Sequence, residues 1–67
     1  MSEGVEQRIL ECLRDVYPKD LSIEELADLT HVHRNTVSKY VYSLEKQGFI
    51  KVTRKVGRAK MYQLAKG

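Results

Sequence analysis

Apolar residues recur from Val5 to Tyr17 at spacings of three and four, through Ile9, Leu10, Leu13 and Val16. That period lays a single stripe along one face, so the spacing predicts an amphipathic helix over about 3–17. Pro18 stops it, because a proline disfavours helical geometry at the residue before it and has no amide to donate. Ser22-Ile23-Glu24-Glu25 then reads as a capping box, the serine hydroxyl accepting from the Glu25 amide while the Glu25 carboxylate reaches back. Glu24 and Glu25 also suit the positive end of a helix dipole. A short second helix is expected over about 22–30, burying Ile23, Leu26, Ala27 and Thr30.

Thr30-His31-Val32-His33 interrupts the pattern, and Val37, Tyr40, Val41 and Leu44 form another helical stripe over about 34–47. Gly48 closes that helix as a left-handed terminal residue. The period then drops to two: Ile50 and Val52 share one face of a strand over about 49–55, and Tyr62 and Leu64 one face of a strand over about 60–65. Val56-Gly57-Arg58-Ala59 turns the chain between them. The fold class that follows is α+β and mainly helical, a three-helix bundle with a C-terminal two-stranded β-hairpin, in a single domain over 1–67. The core is expected to gather Ile9, Leu13, Leu26, Val37, Val41, Leu44, Ile50, Tyr62 and Leu64.

Size limits what such a chain can do. A domain of 67 residues buries only about 60% of its unfolded surface, which leaves little room for an enclosed catalytic cleft. The sequence is 42% hydrophobic and 31% charged with one Pro and four Gly, which excludes collagen-like, linker-like and disordered chains. No apolar run approaches the roughly 18 residues of a membrane span. The opening residues lack the apolar block of a signal peptide. Cys12 is alone, so no internal disulfide forms, and a reducing cytoplasmic location, close to the nucleoid, is expected.

Charge adds the informative asymmetry. Up to Thr30 the chain holds eight acidic residues against three basic ones; from His31 onward it holds nine basic residues against Glu45 alone. In so short a chain this divides one surface into an acidic and a basic face, and a basic face is the footprint of a polyanion binder.

The order of these elements, with a tight turn between the second and third helices and a basic hairpin behind them, resembles a winged helix-turn-helix of the prokaryotic transcriptional-regulator type. The resemblance runs from Leu21 to Leu64. Leu26 through Tyr40 looks like the helix-turn-helix, Leu44-Glu45-Lys46-Gln47-Gly48-Phe49-Ile50 like the junction of recognition helix and wing, and Arg58 through Leu64 like the returning wing strand. Two positions depart from that pattern. His31 stands where glycine is common, at a site needing positive φ that histidine tolerates better than most residues. His33 stands where a stronger cap such as serine is common.

The resemblance implies double-stranded DNA as the partner, with the third helix in the major groove and the wing on the backbone or in the minor groove. With Val37, Val41 and Leu44 turned inward, Arg34, Asn35 and Ser38 are the base-reading candidates, since arginine bonds guanine bidentately and asparagine bonds adenine. Thr36 suits a phosphate or a thymine methyl, and Lys39 and Tyr42 suit the backbone. Arg54, Lys55, Arg58 and Lys60 would supply affinity and register from the wing; lysines and arginines there also guard an edge strand against aggregation. A single domain of this kind contacts few base pairs, so a homodimer or a larger parent protein is expected to supply specificity, with the first helix as the candidate dimer face.

Other chemistry finds less support. His31, His33 and Cys12 lack the further ligand a zinc site wants, so no metal or other cofactor is expected. No phosphate loop, nucleophile elbow or paired carboxylates suggest an enzyme. Two other functions use the same scaffold. The Z-DNA-binding branch resembles Tyr42-Ser43-Leu44 but has an asparagine where Ser38 stands, and a proline-rich wing with a tryptophan, which this chain lacks. A protein-interaction module without DNA binding would use the acidic face, and would not need the positive charge of the third helix and wing.

Overall fold

The computed structural model describes the backbone of residues 2–65 and the side chains of residues 4–65; positions 1, 66 and 67 of the expected single domain lie outside the described residues. Helix α1 (Ser2–Val16) leads through a turn into a two-residue strand β1 (Leu21–Ser22), helix α2 (Ile23–Thr30), helix α3 (Arg34–Gln47), and strands β2 (Ile50–Val56) and β3 (Ala59–Leu64). The strands form one antiparallel sheet in the order β1-β3-β2.

Local chemistry places each boundary. Helix α1 stops ahead of Tyr17-Pro18, with the Lys19 amide donating to the Val16 carbonyl at 2.8 Å. The capping box forms as its residues suggest: the Ser22 hydroxyl accepts from the Glu25 amide at 3.2 Å, and Glu25 Oε1 accepts from the Ser22 amide at 2.9 Å. At the other end of α2, His31 sits at φ 59 and ψ 35 and its amide donates to Ala27. That left-handed residue turns α2 sharply into α3, and the Arg8 guanidinium donates from α1 to the Thr30 carbonyl beside it. Helix α3 starts on His33, whose Nδ1 accepts from the Asn35 amide at 3.1 Å. It ends on Gly48 at φ 89, where the Phe49 amide reaches back to the Leu44 carbonyl at 3.0 Å.

One cluster joins the three helices to β2 and β3: Ile9 and Leu13 from α1, Leu26 from α2, Val37, Val41 and Leu44 from α3, Ile50 from β2 and Tyr62 from β3, with Leu21 of β1 packed against it. Leu64, expected among them, is half-buried and packs against the cluster's edge. Thr30 is also buried, its hydroxyl donating to the Leu26 carbonyl at 2.7 Å. The hydroxyl is thereby satisfied without leaving the helix.

The sheet departs from the expected two-stranded hairpin. Leu21 pairs with Tyr62, so β1 adds a third strand, and the cap residue Ser22 is also a strand residue opposite Met61. The hairpin itself carries a bulge: Val52 opposes Tyr62 but Arg54 opposes Met61, which leaves Thr53 as the extra residue. The hairpin loop is Gly57-Arg58, with Val56 opposite Ala59 and Gly57 at φ 61. Positive φ at the first loop residue alone matches a II′ turn, whose twist suits the flanking strands.

Truncating Leu44 to Ala is expected to cost about 2–5 kcal/mol, since it opens a cavity in the buried cluster. Replacing His31 with Gly is expected to stabilise by about 0.5–1 kcal/mol, because a left-handed backbone strains any residue with a Cβ. Chemical denaturation measures both; a neutral Leu44→Ala or a destabilising His31→Gly would contradict the packing and the turn described.

Candidate nucleic-acid interface

Helix α3 buries Val37, Val41 and Leu44 and packs Tyr40 against the core, which leaves Arg34, Asn35, Ser38 and Lys39 exposed. Its first turn faces the returning wing strand across an open cleft. Arg34, Asn35 and Ser38 line one side, Val56, Arg58, Ala59, Lys60 and Tyr62 the other, and Ser22, Ile23 and Glu24 form the end where α2 begins. Five of the residues singled out from the sequence thus meet in one place.

The other five are spread more widely. Thr36 is half-buried, and Lys39 is exposed outside the cleft. Tyr42 lies two turns along α3 from Arg34, is 61% exposed, and carries the Lys46 ammonium 5.2 Å from its ring centroid. Lys55 stands directly opposite Lys60 across the hairpin. Like charges in that position repel, which weakens the wing and favours any anion that settles between them. The Arg54 guanidinium is taken up by Asp20 at the end of the α1–β1 connection, with Nε at 3.0 Å and a second nitrogen at 3.3 Å from the carboxylate oxygens.

Two acidic residues enter this region that sequence reasoning did not single out. Glu24 Oε2 lies 3.5 Å from the Arg34 guanidinium across the helix-turn-helix. Both groups are well exposed, so the pair is worth about 0–1 kcal/mol and yields readily to a better acceptor. Asp20 is more deeply set, its side chain 14% exposed. It accepts from the Thr53 hydroxyl at 2.6 Å as well as from Arg54. These hydrogen bonds, from Arg54 first and then Thr53, hold the Asp20 carboxyl below the usual carboxylate range.

Two further groups, Cys12 on α1 and Tyr62 in the cleft lining, have their protonated forms favoured. Burial, reinforced by Asp15, pushes the Cys12 thiol up, away from reactive thiolate. Burial, then Glu45, does the same for the Tyr62 phenol. Among the described residues no group of three or more His, Cys, Asp or Glu side chains is placed to hold a metal ion, and no helix is long and apolar enough to cross a membrane.

A family model for the HTH domain matches residues 5–58. The chain belongs to the HTH-domain family. No curated protein matched it, but solved structures share its fold. A homodimeric winged helix-turn-helix DNA-binding domain from Mycobacterium bovis, described as a possible ArsR-family transcriptional regulator, superimposes with a TM-score of 0.79 at 24% identity, covering 94% of this chain and 55% of that one. The ferric uptake regulator of Francisella tularensis gives 0.78 at 20% identity, covering 94% and 52%. The apo-Zalpha domain of zebrafish PKZ gives 0.84 at 18% identity, covering 97% of each chain. This HTH domain therefore spans about half the length of the two bacterial proteins. Its fold is that of a winged helix-turn-helix, with the β2–β3 hairpin as the wing.

The lowered Asp20 carboxyl gives a pH prediction. A carboxylate whose folded value lies below its unfolded value of about 3.9 stabilises fully above that value and loses the effect as pH falls through the folded one. The link to Thr53 and Arg54 is therefore expected to persist across the neutral range and open only in acid. Carboxyl-carbon NMR titration checks this; an Asp20 midpoint at or above 3.9 would contradict it.

Proposed function

We propose that this HTH domain binds double-stranded DNA as the DNA-reading module of a transcriptional regulator, without catalytic activity of its own and in the cytoplasm. The observation that carries the reading is the shared cleft: base-edge donors on the first turn of α3 face basic residues of the wing. A duplex seated there presents base edges to the helix and phosphates to the hairpin.

Roles follow from reach. Arg34, Asn35 and Ser38 meet the major-groove edges, because the first turns of a recognition helix enter the groove. Arg34 exchanges Glu24 for guanine on binding, and the weak exposed pair keeps its guanidinium near the groove meanwhile. Arg58, Lys60 and Lys55 meet the backbone or the minor groove, and phosphate between the last two relieves their mutual repulsion. Thr36, Lys39 and Tyr42 add contacts from α3 to the flanking backbone. Arg54 acts differently, since Asp20 already holds its guanidinium.

A duplex read by one such cleft spans few base pairs. A homodimer or a longer parent chain would supply the rest, and the homodimeric M. bovis domain supports the first arrangement. The Z-DNA branch is disfavoured by Ser38 and by a wing without tryptophan.

Fluorescence titration against random duplex at two salt concentrations tests the reading. With about 4–6 phosphate contacts, log affinity is expected to fall against log salt with a slope of about −4 to −5. Absent or salt-independent binding would overturn it in favour of a protein-interaction module. Replacing Arg34 or Asn35 with Ala is expected to cost about 1–3 kcal/mol at the preferred site and to relax discrimination at one position. Arg58→Ala and Lys60→Ala are expected to weaken all sequences alike and to reduce the slope by about 1 each. Wing variants that change sequence preference while helix variants act uniformly would reverse the assignment.

A further inference from the structure

The wing leaves the body of the protein at one residue. Strand β2 is buried at Ile50 and half-buried at Val52, but every position from Thr53 to Val56 is exposed. Thr53 is the bulged residue, the point where a strand bends and changes its twist. Beyond it the hairpin projects roughly 13 Å over four residues to Gly57, at about 3.3 Å per residue. A tilt of about 20°, an ordinary strand-to-strand twist, would carry that tip about 4–5 Å, further than a hydrogen bond can follow. The core does not control this angle, because no residue of it lies past the bulge.

Strand β1 pairs Ser22 with Met61 on the β3 side of the bulge, and the α1–β1 connection before it holds the β2 side. Asp20 accepts from the hydroxyl of Thr53 itself and from the guanidinium of Arg54, the next residue. The Thr53 hydroxyl also lies 3.3 Å from the Met61 carbonyl on β3, and Gln63 of β3 donates to the Pro18 carbonyl. Both wing strands are therefore tied, near the bulge, to residues 18–20. Asp20 is the one acidic group in this arrangement, and its side chain is far less exposed than that of Arg54, at 14% against 64%.

We propose that Asp20 is the positioning residue of the wing: by clamping Thr53 and Arg54 it sets the angle at which Arg58 and Lys60 face α3 and the phosphates of a duplex. The consequence for binding rests on the duplex-binding reading above; the consequence for wing angle does not. Arg54 is on this account a tether rather than a phosphate contact. Charge alone predicts the opposite outcome of removing Asp20, since the domain would gain a net positive charge and free a guanidinium, both of which tighten binding to a polyanion.

The test compares Asp20→Asn and Thr53→Ala, each with and without Lys60→Ala, in salt-dependent duplex titrations. Residual dipolar couplings of the wing amides are recorded on the free proteins. Thr53→Ala changes no charge and removes one hydroxyl from an exposed strand, so it serves if Asp20→Asn folds poorly. The expected result is binding weakened about three- to tenfold by either substitution, the size of one or two lost phosphate contacts. Lys60→Ala should then add little, and the couplings should report a re-oriented or averaged wing. Binding as tight as or tighter than the parent, or a Lys60→Ala effect of undiminished size, would overturn the proposal. If the unsubstituted domain binds no duplex, the duplex-binding reading fails, and the couplings alone decide the clamp: a changed wing orientation supports it, an unchanged one overturns it.

Discussion

The burial of Val37, Val41 and Leu44 against Ile9, Leu13, Leu26, Ile50 and Tyr62 is the contact on which the rest of the molecule depends. A helix has two sides; committing that stripe to the core fixes which residues of α3 meet solvent. Arg34, Asn35 and Ser38 come to the open side as a geometric consequence of where the valines and the leucine go. The same cluster holds the roots of β2 and β3 through Ile50 and Tyr62. One small core thus orients both the helix and the base of the wing, and a domain of this size has no second core to do it.

Much of this was legible from local chemistry. The capping box at Ser22 and Glu25, the left-handed Gly48 and the turn at Gly57 are each decided by residues within a few positions of one another, while the left-handed His31 followed from the family resemblance. Hydrophobic period did the rest for the helices, since a stripe at spacings of three and four can face only one way. Eight of the nine expected core residues are buried; Leu64 falls at the edge because it sits at the end of β3.

Contacts between segments far apart in the chain were not legible. The strand β1 is two residues long, too short to show a period, and exists only because β3 returns beside it. The bulge at Thr53 has no glycine or other local marker, and without it the opposition of Lys55 to Lys60 could not be worked out. Asp20 belongs to none of the motifs read from the sequence, yet it meets Thr53 and Arg54 more than thirty positions away. Glu24 was read as a dipole partner for its own helix, and its approach to Arg34 depends on the turn between the two helices. In both cases an acid of the negative half has found a base of the positive half, so the charge asymmetry along the chain is partly neutralised where the two halves touch.

The central claim is that one cleft, between the start of α3 and the wing, receives duplex DNA. Titrating nitrogen-15-labelled protein with a short duplex and following every backbone amide tests it most directly. The account predicts that the largest shifts fall on Arg34 to Lys39 and on Gly57 to Lys60, with the outward face of α1 unmoved. Shifts centred on the acidic surface of α1 and α2, or none at any amide of α3 and the wing, would contradict it.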